Sequence, residues 1–195
     1  AFTEVRDANG GLLPIGTFFS MAEAFDLVET LDKHIVQKVL DLMGEESNPA
    51  PVTINLSLAS IASAEFRQWL GKTVIQSGLS PALLAFSVTA YAAAKDLDTF
   101  TNFSIFVRQL GAHSLLKRYS SDVIPVNLLK DLHIDYIRLA RDLTTDIRSN
   151  TNKPDLLDII QEIARLLEVR VLAESAKDEQ DFLWLQQAGL FGISR

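Results

Sequence analysis

Short apolar runs alternate with longer amphipathic stretches along most of the chain. The runs read as strands: Val52–Ser57 (VTINLS), Leu83–Thr89 (LLAFSVT), His113–Tyr119 (HSLLKRY), Ile134–Ala140 (IDYIRLA), Arg170–Ser175 (RVLAES) and Leu190–Ser194 (LFGIS). Each is short and mostly apolar, the pattern of a strand covered on both faces. Between them, apolar residues recur at helical spacing. Phe66, Leu70, Val74 and Ile75 follow Ser63 and Glu65, which suit a helix start. Phe100, Phe103, Ile105, Phe106 and Leu110 mark the next helix, with Gly111 placed to end it. Pro154 sits in a first turn, ahead of Leu156, Leu157, Ile160, Ile163, Ala164 and Leu167. Phe182, Leu185 and Ala188 mark a last helix, closed by Gly189. Upstream, 17–25 and 29–43 read as two helices, and 45–51 as a polar loop.

Strand and helix in regular alternation predict a parallel sheet with helices outside it. Six full strands, with a partial one at Phe2–Arg6, suit an α/β fold: a TIM-like (β/α) barrel lacking its N-terminal strand, as one domain over 1–195. Gly10-Gly11 reads as a hairpin turn between edge elements. In such barrels the chemistry gathers at the C-terminal strand ends. The positions to interrogate are therefore Asn55, Ser87, Lys117, Arg118, Arg138, Glu174 and Ser194. Phe18 and Phe19 are adjacent and cannot face the same way on a helix. Either one of them joins a partner interface, or flanking segments cover both.

Composition narrows the options. Of 195 residues, 48% are hydrophobic, enough for a single sizeable core. A net charge of -7 argues against a general nucleic-acid binder, which needs a basic face. It leaves room for a small anion held by a few local cations. The absence of cysteine excludes disulfides, zinc–thiolate sites and cysteine nucleophiles. No apolar stretch spans a bilayer and no signal peptide is visible. This segment is expected to be cytoplasmic and to make no membrane contact, with a membrane-anchored parent chain left open. Beginning at Ala1 without methionine, it is expected to be a C-terminal fragment of a larger signalling protein. His34, His113 and His133 share no metal-ligand spacing. Ser57, Ser87 and Ser194 lack an obvious histidine base, and there is no Gly-x-Ser-x-Gly elbow or glycine-rich phosphate loop.

Several segments, taken in order, carry a family pattern. Gly11–Asp32 holds Pro14, Phe18, Ala22-Glu23 and Leu31-Asp32. Ile54–Ser57 (INLS) follows, then Phe66 and Trp69-Leu70, the segment Leu129–Leu139 (LKDLHIDYIRL), and Leu172–Ser175 (LAES). In this order and spacing the chain resembles an EAL domain, the barrel of cyclic di-GMP phosphodiesterases. The resemblance implies metal-assisted hydrolysis, with two magnesium or manganese ions held by carboxylates and one asparagine.

At the site positions the chain departs from that pattern. The glutamate that names the family would lie just before Ala1. Asn55 matches the ligand asparagine, and Glu174 the first glutamate of a late motif, whose second glutamate aligns with Lys177. Glu4 stands for an arginine, Ser87 and Ala90 for two glutamates, and Lys117 and Arg118 for two aspartates. Arg138 stands for a lysine, Ala140 for the aspartate after it, and Ser194 for a glutamine. The resemblance with these losses implies a degenerate, catalytically inactive member without a metal or other cofactor. It would act through a protein partner or an adjacent domain of the same chain. The alternative is a metal-independent cyclic di-GMP receptor in which Lys117, Arg118 and Arg138 meet the phosphates. An active phosphodiesterase is the third reading. For each of these cations the bland reading is a solvated or locally paired side chain, and for Asn55 and Glu174 a structural hydrogen bond.

Overall fold

In a computed structural model that describes residues 4–7, 9–145, 152–174, 176 and 178–193, the alternation becomes a parallel sheet backed by helices. Six strands pair in chain order: β3 (Val52–Asn55), β4 (Leu84–Thr89), β5 (His113–Tyr119), β6 (Tyr136–Leu139), β7 (Arg170–Ala173) and β8 (Gly192–Ile193). All five pairings are parallel. The sheet forms a curled half-barrel with two open edges, β3 and β8, so the expected barrel is incomplete. Closing a barrel requires matched tilt and stagger around the whole ring.

The partial strand expected at Phe2–Arg6 needs a correction. Phe2 lies outside the described residues. Val5–Arg6 (β1) pairs antiparallel with Leu12–Leu13 (β2) and does not join the large sheet. The reason is local. The Asp7 carboxylate accepts the backbone N–H groups of Asn9 and Gly11, and Gly10 adopts φ 83°, a conformation glycine takes without strain. The chain turns back before it can extend, as the Gly10-Gly11 reading anticipated.

Helices α1 (Ile15–Ala24), α2 (Val28–Gly44), α4 (Ala64–Gln76), α6 (Leu97–Gln109), α8 (Asn152–Leu166) and α9 (Glu179–Gln187) occupy the expected stretches; α3 (Leu58–Ala62), α5 (Ala90–Ala93) and α7 (Arg141–Thr144) are short. Their starts are set by side chains. Ser63, Asp96 and Asp178 accept the backbone N–H of Phe66, Thr99 and Asp181. Gly111 and Gly189, at φ 83° and 76°, follow α6 and α9 as C-terminal stops. The three short helices carry too few residues for a periodic signal, and the sequence reading missed them.

The core lies between the sheet and its helices. Along β4, Leu84, Phe86 and Val88 face that layer, following the two-residue period of a strand. Phe100, Phe103 and Val107 of α6 meet them, with Phe86 edge-on to Phe103 at a centroid distance of 6.5 Å. The other inward row of each strand opens onto the concave face, and it carries the candidate chemistry. Among the described residues no helix is long and apolar enough to cross a membrane.

Candidate functional site

The strand register sets the site. One row across the sheet joins Asn55 to Ser87 and Ser87 to Leu115; the next joins Thr89 to Lys117, Lys117 to Arg138 and Arg138 to Leu172. Lys117 and Arg138 are therefore neighbours on adjacent strands, one step from the C-terminal rim. Glu174, half-buried, follows directly on β7.

The same residues act on one another electrostatically. Burial holds the Lys117 ammonium below its usual pKa; Glu174 works against this, while Arg118 and Arg138 reinforce it. Four of the candidate residues thus share one field. Arg118 belongs to it differently. The register shifts between Lys117 and Tyr119, leaving Arg118 as a bulge residue at φ 55°. Its side chain is exposed, off the row that Lys117 and Arg138 share. A non-glycine residue in this conformation carries strain of roughly 1–3 kcal/mol.

Asn55 and Ser87 are brought together by their register. Ser87 Oγ, buried, donates to Asn55 Oδ1 at 2.7 Å. That bond takes one of the two lone pairs of the amide oxygen, the atom a cation would need. Glu174 is anchored through its backbone, whose carbonyl accepts from Thr144 Oγ1 at 2.9 Å. Ser194 and Lys177 lie outside the described residues. His34 and His133 are exposed, and His113 lies 3.9 Å from Asp135 at the opposite, N-terminal end of β5. Among the described residues no group of three histidine, aspartate or glutamate side chains could hold a metal ion.

Asp32 was missed as a site residue. It is 1% exposed and accepts the backbone N–H of Ser57 at 2.8 Å, which fixes the chain just past Asn55. Its other oxygen, Oδ1, has no hydrogen-bond partner among the described residues. It lines a cavity of about 300 Å³ with Phe19, Glu23, Asn55, Thr89 and Lys95, beside the strand ends. The signal existed in the sequence: Val28, Asp32, Val36, Leu40 and Met43 form one buried helical stripe, and a lone acid within it requires a partner.

Burial pushes the Asp32 carboxyl above its ordinary pKa of 3.8, with hydrogen bonds from Ser57 and Ser60 opposing. The unfolded chain then releases this proton at a lower pH than the folded one. Stability contributed by the neutral acid is lost as pH rises from 3.8 through the raised value. Asp32→Asn is expected to remove that loss, so its urea midpoint relative to wild type rises between acid and neutral pH. An unchanged difference across this range would show that Asp32 does not titrate as described.

Comparison with known proteins places this arrangement. The EAL domain family profile matches residues 1–193. A protein of Mycobacterium tuberculosis is 22% identical over 87% of this chain and 28% of its own length. The cyclic di-GMP phosphodiesterase PdeB of Shewanella oneidensis is 21% identical over 95% of this chain and 22% of its own length. The chain thus spans less than a third of these relatives. The crystal structure of the FimX EAL domain from Pseudomonas aeruginosa bound to c-di-GMP superposes with a TM-score of 0.89 at 19% identity, covering 97% of this chain and 77% of that one. At that identity the likeness concerns the fold.

Proposed function

Because the chain belongs to the EAL domain family, we propose that it serves cyclic di-GMP signalling as a catalytically inactive regulatory module, working through a protein partner or an adjacent domain. The observation that carries this reading is the Lys117–Arg138 pair on neighbouring strands, with Arg118 beside it. A two-metal centre needs several anionic oxygens at short range. Among the described strand-end positions Glu174 is the one carboxylate, against three cations. Asn55 Oδ1 is already engaged by Ser87. A divalent ion about 4 Å from one ammonium would be repelled by roughly 8 kcal/mol at an effective dielectric constant near 20. The residues present do not fit the metal pair that the family implies.

A second reading has its own support. Lys117 is partly stripped of water and faces other cations, so an anion placed there would favour its charged form. The FimX domain was crystallised with c-di-GMP, and the same fold here presents Lys117, Arg118 and Arg138 at its rim. This is a metal-independent nucleotide receptor.

Calorimetric titration with cyclic di-GMP, with and without magnesium or calcium, tests the choice. The regulatory module is expected to give no binding heat in either condition. Micromolar binding without metal would replace it with the receptor; Lys117→Ala and Arg138→Ala should then each weaken binding by about tenfold.

A further inference from the structure

Lys117 and Arg138 are register partners on β5 and β6, the two central strands of the sheet, away from both open edges. Such partners lie about 5 Å apart along the backbone and point to the same face. Both side chains are half-buried, and neither makes a hydrogen bond or an ion pair among the described residues. Their surroundings are apolar. Leu115, two residues before Lys117 and on the same face, is buried, and Leu172 is the partner of Arg138 on its other side. Glu174 acts on Lys117 without pairing with it. Two cations held this close repel each other, and an anion between them relieves that repulsion. Burial first, and then Arg118 and Arg138, favour the neutral amine of Lys117 against the pull of Glu174. The neutral amine is the form that attacks a carbonyl carbon.

We propose that Lys117 captures a small anionic carbonyl compound, an α-keto acid or an aldehyde phosphate, as an imine, with Arg138 holding the anionic group. The guanidinium fork matches a carboxylate or a phosphate. Lys117 Nζ bonds to the carbonyl carbon, and the C=O bond opens to a carbinolamine. The oxygen then leaves as water with both amine protons, and the C=N bond remains. No oxidant or reductant enters. Glu174, the one carboxylate among the described strand-end positions, passes a proton from nitrogen to the departing oxygen. The C-terminal end of a barrel strand is where such a side chain meets its ligand. The inference goes beyond the regulatory reading and shares one premise with it, that no metal pair occupies these strand ends.

The test lets the lysines of the chain compete. At neutral pH in EDTA, the protein is given glyoxylate, pyridoxal 5′-phosphate or uncharged propanal. Borohydride reduces each imine to a stable amine, and peptide mass spectrometry reads the labelled fraction at every lysine. With one or both anionic probes, Lys117 is expected to label about tenfold faster than the exposed Lys38, Lys72 and Lys130. Glyoxylate alone would assign a carboxylate to Arg138, and pyridoxal phosphate alone a phosphate. Arg138→Gln should lower the ratio of anionic to propanal labelling at Lys117 by about tenfold. Labelling of Lys117 no faster than that of the exposed lysines would show that access alone governs, and overturns the proposal. So does a lead over those lysines that is as large with propanal as with the anionic probes. Both comparisons use the wild-type protein and need no variant to fold. EDTA removes any metal, so a metal centre would show itself in cyclic di-GMP hydrolysis, ending the inactive-module reading, and not in the labelling.

Discussion

Phe86→Ala is expected to lower the midpoint of thermal unfolding by roughly 6–20 °C. Phe86 is fully buried at the centre of β4, between Ile54 of β3 and Ser114 of β5 in the register, with Phe103 edge-on above it. Deleting a buried phenylalanine side chain costs about 3–5 kcal/mol, from lost transfer energy and from the cavity left behind. In a domain of this size each kcal/mol shifts the midpoint by about 2–4 °C. The loss should sit at the top of this range, because neighbours on two strands and a helix cannot all collapse into one gap. Phe25→Ala, on the exposed face of α1, should change stability by less than about 0.5 kcal/mol. Circular dichroism melts of the two variants test the pair. Equal midpoints would refute the placement of the core on the helix side of the sheet.

The second large effect is one of chemistry. Incubated with cyclic di-GMP and magnesium or manganese, the protein is expected to leave the nucleotide intact by chromatography. The double variant Lys117→Asp/Arg118→Asp is expected to remain inactive. It removes two cations and adds two carboxylates, but Ser87 still supplies a hydroxyl and still engages Asn55 Oδ1. Arg118 also sits on a bulge, off the row that carries Lys117 and Arg138, so an aspartate there is not aimed with its neighbour. Linear product from the wild-type protein would overturn the inactive assignment. Product from the double variant alone would show that the charge reversal by itself had silenced the site.

The sequence carried the layer order because apolar runs and helical spacing are local signals. His113–Tyr119 coincides with β5 from end to end, and Ser63 and Gly111 do at their helix ends what their types favour. Helices of four or five residues were not legible, since a period of 3.6 cannot show itself in one turn. At the site, strand-end placement followed from alternation alone, and it brought Asn55 to Ser87 and Lys117 to Arg138. The position of Arg118 did not follow. A bulge is decided by how a neighbouring strand shifts, and no residue type announces it. Asp32 was legible but unread. Its neighbours at spacing four are apolar, and that spacing alone buries it. The pairing of Val5–Arg6 with Leu12–Leu13 was decided by Asp7 and Gly10, which outweighed the extended character of the first residues.

The strand order of the large sheet bears on how the chain acquires its structure. Each strand of this sheet pairs only with its neighbours in chain order, so no register within it depends on residues that have yet to be synthesised beyond the next helix. Each closure spans a few tens of residues, and its entropic cost grows only with the logarithm of that length. Once β3 and β4 are paired, every later strand meets a template already in place. Assembly can then advance along the chain as it emerges from the ribosome, N-terminal units first. An intermediate halted at any stage differs from the finished sheet in the position of its growing edge.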